Sequence, residues 1–454
     1  MKSYDRALEV NPNYSNAWNN RGYALYNLGR YEEALKSYDR ALEVNPDHDL
    51  AWNNRGNALY NLGRYEEAVA SYDRALEVNP DHDRAWYNRG VALGKLGRYE
   101  EAIASYDRAL EVNPDQDEAW NNRGVALGKL GRTEEAIASY DRALEVNPDH
   151  DLAWNNRGIV LDELGRYEEA IASYDRALEV NPNNDLAWNN RGIALENLGR
   201  YEEALKSYDR ALEVNPDHDR AWNNRGNALD ELGRTEDAIA SYDRALEVNP
   251  DHDRAWNNRG VALGKLGRYE EAIASYDRAL EVNPDQDEAW YNRGVALGKL
   301  GRYEEALKSY DRALEVNPDH DRAWNNRGYA LVNLSRYEEA VASYDRALEV
   351  NPDHDRAWNN RGYALGKLGC YEKALKSCDR ALELKPDDFG AFYARACIYA
   401  RQNHLKLALD SLKRAIQLNP DESRQLAQTD TDFDELRNDP RFQRLIENPE
   451  KQEF

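Results

Sequence analysis

Along most of this chain apolar residues recur at spacings of three and four, interrupted at regular intervals by glycine and proline. In the stretch from Asp253 to Gln286, the residues Ala255, Trp256, Gly260, Ala262, Leu263 and Leu266 share one face of a helix. Gly267 then stands where a left-handed residue closes a helix. Ala272, Ile273, Tyr276, Ala279 and Leu280 form a second apolar face, which Pro284 ends. Glu270 and Glu271 fall in the first turn of that second segment, where carboxylates suit the positive end of the helix dipole. The pattern predicts two helices joined by a tight turn. Glycine and alanine are expected where the helices approach, with Trp256 filling the space between them; Trp256 and Tyr276 both read as core.

The pattern returns every 34 residues. Trp18, Trp52, Trp86, Trp120, Trp154, Trp188, Trp222, Trp256, Trp290, Trp324 and Trp358 mark successive units, and Phe392 keeps the register. With Asp253 as position 1, the units carry an aromatic at 4, Gly at 8, Leu at 11, Ala at 20, Tyr at 24, Ala at 27 and Pro at 32; Cys378 replaces the tyrosine in the eleventh unit, and the twelfth is divergent. Neither helix buries its apolar stripe alone, so the units must stack. This pattern resembles the tetratricopeptide repeat family over residues 15–422. The resemblance implies an all-α, right-handed superhelical solenoid of twelve tandem helical hairpins (TPR units) with a C-terminal capping helix. Residues 1–14 place Tyr4, Ala7 and Pro12 at positions 24, 27 and 32, so they read as a second helix whose partner is expected upstream. Residues 83–132 return almost unchanged at 253–302, five units later, which suggests duplication of a five-unit block. Beyond Pro420 the period stops; Phe433, Leu436, Phe442, Leu445 and Ile446 predict a cap over 423–447, with Asp432 or Asp434 near a helix start. Residues 448–454 are expected to fray.

Composition narrows the function classes. A formal net charge of −24 argues against nucleic acid as a partner, because phosphate would be repelled. No apolar run reaches the roughly 18 residues that span a bilayer, and MKSYDRALEV has no signal-peptide core. Cys370, Cys378 and Cys397 look like drift within repeat units, and a reducing cytoplasm is the expected setting. His48, His82, His150, His218, His252, His320 and His354 all occupy position 34 between two aspartates. Stacked helices lie roughly 8–10 Å apart, while a zinc ligand comes within about 2.1 Å of the ion. The histidines therefore form a row of separate imidazoles, and the aspartate that follows each is expected to act as a helix N-cap. No metal, cofactor or catalytic residue is expected, since a repetitive chain offers no single distinctive constellation of nucleophile and base.

The first-helix positions 2, 6, 9 and 13, with 5 and 12 beside them, form a stripe opposite the Trp–Leu face. In the family this stripe lines the concave surface. Position 6 is asparagine in eleven successive units: Asn20, Asn54, Asn88, Asn122, Asn156, Asn190, Asn224, Asn258, Asn292, Asn326 and Asn360. An amide both donates and accepts, so it suits the backbone of an extended peptide whatever its side chains. The series is similar to the asparagine ladder in the repeat arm of O-linked N-acetylglucosamine transferase. Its rival role is to bond to the neighbouring hairpin and hold the stack. Position 7 departs from the family with arginine in every unit; Arg259 is expected to meet Asp277 or Glu281 of the second helix. The chaperone-tail carboxylate clamp of some family members is not implied, because position 5 is Asn or Tyr where that clamp needs Lys.

Residues 151–252 hold 22 acidic side chains against 11 basic ones. Asp162, Glu163, Glu196, Asp230 and Glu231 at positions 12 and 13 are expected to form an acidic patch for a basic segment of a partner. The chain is thus expected to be a non-enzymatic scaffold that binds a peptide or protein along its concave face. Two alternatives stand beside this: the substrate-targeting arm of a larger enzyme, such as a glycosyltransferase, or a structural self-assembling array.

Overall fold

The computed structural model describes residues 2–447, so the tail expected to fray lies outside the described residues. The described residues form helices and one 3₁₀ segment, with no strand among them. Lys2–Val10 is a helix of its own. Twelve helical hairpins follow, from Ser15–Asn27 with Tyr31–Val44 to Phe389–Arg401 with Leu405–Leu418. The chain divides at Ala228–Leu229 into two compact units. The first holds hairpins one to six and most of the first helix of the seventh. The second holds hairpins eight to twelve, the second helix of the seventh, and the C-terminal segments.

Inside each hairpin the contact between the helices is set by glycine and tyrosine. In hairpin eight, helix Asp253–Lys265 packs on helix Tyr269–Val282, and Ala255, Ala262, Leu263, Ala272 and Ala279 are fully buried. A Cβ on Gly260 would lie 2.5 Å from Cε1 of Tyr276. Position 8 is glycine because the tyrosine ring occupies that space. The turn closes as the sequence predicts: Gly267 has φ 74°, and the Arg268 N–H donates to the Leu263 carbonyl at 3.0 Å. Hairpin ten carries Ser335 at this place, held at φ 59°. Ser335→Gly is therefore expected to stabilise hairpin ten, by about 1 kcal/mol at most. A denaturant midpoint that stays level or falls would contradict this.

Two expectations change within the hairpins. Trp256 fills more than its own hairpin: it is half-buried against Ala279 and Leu280 of that hairpin's second helix and against Ala289 of the next hairpin. Its indole N–H donates to the Pro250 carbonyl at 2.9 Å, and the Arg259 and Arg278 guanidinium carbons lie 6.0 and 5.9 Å from its ring. The second correction concerns the helix cap. Residue 34 of each unit is the N-cap, and in several hairpins the imidazole itself caps, as where His252 Nδ1 accepts the Ala255 N–H at 3.3 Å. Asp253 instead ties the two ends of its hairpin together. Its Oδ2 accepts from Asn283 Nδ2 at 3.0 Å and Gln286 Nε2 at 2.6 Å.

The tail forms helix Pro420–Thr429, a 3₁₀ segment Thr431–Leu436 and helix Pro440–Ile446. Phe433, Leu436 and Phe442 are buried against Tyr393, Cys397 and Leu412 of the last hairpin. Asp432 and Asp434 lie in the first turn of the 3₁₀ segment, near its start as expected, while Asp430 and Asp439 cap the last two segments through bonds from Asp432 N at 3.0 Å and Arg441 N at 2.8 Å.

Candidate functional site

The ladder is a hydrogen-bonded structure in its own right. In the first unit, Asn54 Nδ2 donates to Asn19 Oδ1 at 3.0 Å, Asn88 to Asn53 at 3.0 Å, Asn156 to Asn121 at 3.1 Å, Asn190 to Asn155 at 3.3 Å and Asn224 to Asn189 at 3.1 Å. In the second unit, Asn292 reaches Asn257 at 3.5 Å and Asn360 reaches Asn325 at 3.1 Å. Where position 5 is tyrosine its hydroxyl accepts instead, from Asn122 to Tyr87 at 3.1 Å and from Asn326 to Tyr291 at 3.2 Å. Asn20 accepts from Asn19 within its own hairpin at 3.4 Å. Asn258 stands at the same register in hairpin eight.

Each bond joins a position-6 amide to position 5 of the preceding hairpin. The rival role named from the sequence, a tie between hairpins, is thus part of the geometry. It uses one of two amide hydrogens per asparagine. In hairpins four and ten the carbonyl also accepts from position 5 beside it, at 3.3 and 3.1 Å. One donor and one acceptor site remain on Asn54, Asn122, Asn156 and Asn190, which are half-buried. The sequence missed the partner: position 5 lies not on the exposed stripe but between hairpins, with Asn53, Asn121 and Asn155 buried. Asparagine reads as polar in any pattern, so periodicity gave no sign of it.

The position-7 arginine sits behind the ladder and also spans two hairpins. Arg293 Nε donates to Asp277 Oδ1 at 2.6 Å, and its Nη1 to Ser309 Oγ of its own hairpin at 2.7 Å. The partner of Arg259 is therefore Asp243 of the hairpin before, at 2.6 Å, and not Asp277 or Glu281. Glu281 pairs with Arg278 one turn away. Arg259 is about one-fifth exposed, so this contact is a structural clamp under the candidate face.

The acidic positions divide into engaged and free groups. In the first unit Glu196 accepts from the Tyr208 hydroxyl, and Asp162 is half-buried while Glu163 is exposed. In the second unit Asp230 accepts from Lys265 Nζ at 2.7 Å and Thr235 Oγ1 at 3.2 Å, and Glu231 is exposed. Burial holds the Asp162 carboxyl above its ordinary value, against the lowering effect of a bond with Asn197, and its Oδ1 is buried without a partner. An acid whose pKa rises on folding destabilises the fold once ionised, and the penalty vanishes as pH falls below the unfolded carboxylate range. Asp162→Asn is expected to raise the unfolding midpoint at pH 7, with the gain shrinking towards pH 4. A loss at pH 7 would show that the ionised group is favourably held.

The position-34 histidines stand one per hairpin, each at the start of a first helix. The residue types of a metal centre come together at Cys397, Asp430 and Asp432. There Asp432 already accepts from Lys367 Nζ at 2.7 Å and Arg401 Nε at 2.6 Å. Burial and the nearby aspartates push the Cys397 thiol well above its ordinary value, so it holds its proton. The cluster is a cap-to-hairpin tie. No helix among the described residues is long and apolar enough to cross a membrane.

Family models described as tetratricopeptide repeat match residues 20–299 in overlapping spans and 327–389, 287–320, 3–36 and 309–342, and 389–422. No curated protein matches the chain. Among solved structures, the chain is similar to YrrB, described as a TPR protein with an unusual peptide-binding site. Identity there is 28%, covering 40% of this chain and 95% of that one, with a TM-score of 0.36. It is also similar to MamA, at 25% identity over 35% and 93% of the two chains with a TM-score of 0.34. The Cut9–Hcn1 hetero-tetramer of APC/C matches 96% of each chain at 16% identity, with a TM-score of 0.46.

Proposed function

The chain belongs to the tetratricopeptide repeat family, and from that premise we propose that it is a non-catalytic scaffold holding an extended peptide along the face of its first helices. The observation that carries the proposal is the half-satisfied ladder. The amides of Asn54, Asn122, Asn156 and Asn190 are each fixed by a bond to the hairpin before, as Asn156 is by Asn121, yet each retains one donor and one acceptor site. Amides immobilised before binding lose little side-chain entropy when a peptide backbone meets them. They would hold that backbone whatever its side chains.

The test separates binding from stacking. Asn156→Ala with Asn190→Ala removes two ladder amides and is expected to weaken a peptide selected from a random library by about tenfold. Asn121→Ala removes the acceptor behind Asn156 but leaves the amide itself, so it should destabilise the fold with little effect on affinity. Equal loss of affinity from both variants, read by fluorescence anisotropy beside a denaturation curve, would assign the ladder to stacking alone.

A further inference from the structure

Hairpins two, three and four line an open pocket of about 410 Å³ on the ladder face. Tyr60, Val91, Tyr99, Tyr106 and Val125 form its apolar wall, and the ladder amide of Asn122 lines it too. Gly94 keeps it open, since a Cβ there would meet nothing within 4 Å. Lys95 and Lys129 complete the lining. Both are exposed, and neither forms an ion pair among the described residues. Two uncompensated cations on one apolar cavity stand out in a chain of net charge −24.

The duplicated block supplies an internal comparison. Five hairpins on, Gly264 and Lys265 repeat Gly94 and Lys95, but Asp230 stands where the first copy has Tyr60. Lys265 Nζ donates to Asp230 Oδ2 at 2.7 Å. The second copy therefore carries its own carboxylate. The first copy has an aromatic wall in that place and leaves its lysine unneutralised.

We infer that the pocket of hairpins two, three and four anchors an apolar side chain of an extended peptide, with an adjacent Asp or Glu of that peptide paired to Lys95 and Lys129. The inference rests on the proposed function, because Asn122 would hold the backbone between these two contacts. Desolvating an apolar side chain against tyrosine and valine supplies affinity. A carboxylate beside it meets two lysines that have no competing partner, which fixes direction and excludes basic sequences. The occupant is thus an acidic-apolar segment, opposite in sign to the one the acidic positions further along the chain suggested.

The experiment selects peptides from a random library against the full chain and remeasures the best of them, as synthetic fluorescent peptides, on the wild type and four variants. Enrichment of an aromatic or aliphatic residue beside Asp or Glu is expected. Gly94→Leu places a side chain where a Cβ meets nothing within 4 Å and should weaken binding about tenfold or more. Lys95→Glu with Lys129→Glu should do the same and abolish the salt dependence of the wild type. Gly264→Leu fills the equivalent place in the second copy and should leave affinity unchanged. Peptides that lose affinity on Asn156→Ala with Asn190→Ala but are indifferent to Gly94→Leu would overturn the anchor and leave the ladder standing. Enrichment of basic peptides would overturn the anchor as well. If no peptide is captured, the scaffold reading and the anchor fall together.

Discussion

Asp432→Ala is expected to cost about 3–5 kcal/mol of the stability of the C-terminal cap, because it takes the near carboxylate from the largely buried Lys367 ammonium. The Asp432 side chain is 3% exposed and that of Lys367 11%. Arg401 closes the group at 2.6 Å and donates to the Gly366 and Lys367 carbonyls at 3.2 and 3.3 Å. Burial alone would pull the Lys367 ammonium down, but the bond to Asp432 and the nearby charges outweigh it and hold it above its ordinary value of 10.5. The stabilisation this gives is complete below that value and is lost as pH rises through the folded pKa. Hydrogen exchange over residues 420–446 reads the result directly, since these segments should open while the internal hairpins stay protected. Lys367→Met with Asp432→Leu should recover part of the loss, as apolar pairs often replace buried ion pairs without cost. A loss below about 1 kcal/mol for Asp432→Ala would mean that water already satisfies the charges.

Two glycines on one helix should respond with opposite signs to the same substitution. Gly260→Ala places a methyl 2.5 Å from a ring carbon of Tyr276, which is 3% exposed and has no room to withdraw. Overpacking of this kind costs about 1–3 kcal/mol. Gly264→Ala, one turn later, meets nothing within 4 Å and should gain about 0.5–1 kcal/mol from the better helix former. Denaturant midpoints of the two variants therefore move apart. Stabilisation by both, or by Gly260→Ala alone, would show that the tyrosine yields and that position 8 is not set by packing. In hairpin eleven Cys378 replaces the tyrosine, and there a Cβ on Gly362 would meet the thiol sulfur at 2.6 Å. The glycine is needed even where the ring is gone.

How far the sequence could be read depended on which interactions are local. Helix positions and the left-handed Gly267 lie within one hairpin, and each follows from spacing along a short stretch; that Tyr276 fills the space beside Gly260 came from the structure. Contacts between hairpins were legible only as residue types. Arginine at position 7 needed a carboxylate, and position 25 was the right kind; only the stacking showed that Arg259 takes Asp243 from the hairpin before. The same holds for Trp256, whose burial extends to the next hairpin, and for Asn121 and Asn155, whose polarity concealed their burial.

The sequence by itself determined the repeat and the helical hairpin, because each rests on a period repeated in one chain. Tertiary structure decided what the polar residues do. It turned the ladder into a chain of bonds between neighbours, gave the helix cap to His252 in place of Asp253, engaged Glu196 and Asp230 internally, and left Lys95 and Lys129 unpaired over an apolar cavity. A charged or amide side chain has many possible partners within reach along a sequence. Its partner is fixed only when packing brings one within about 3 Å and takes the others away.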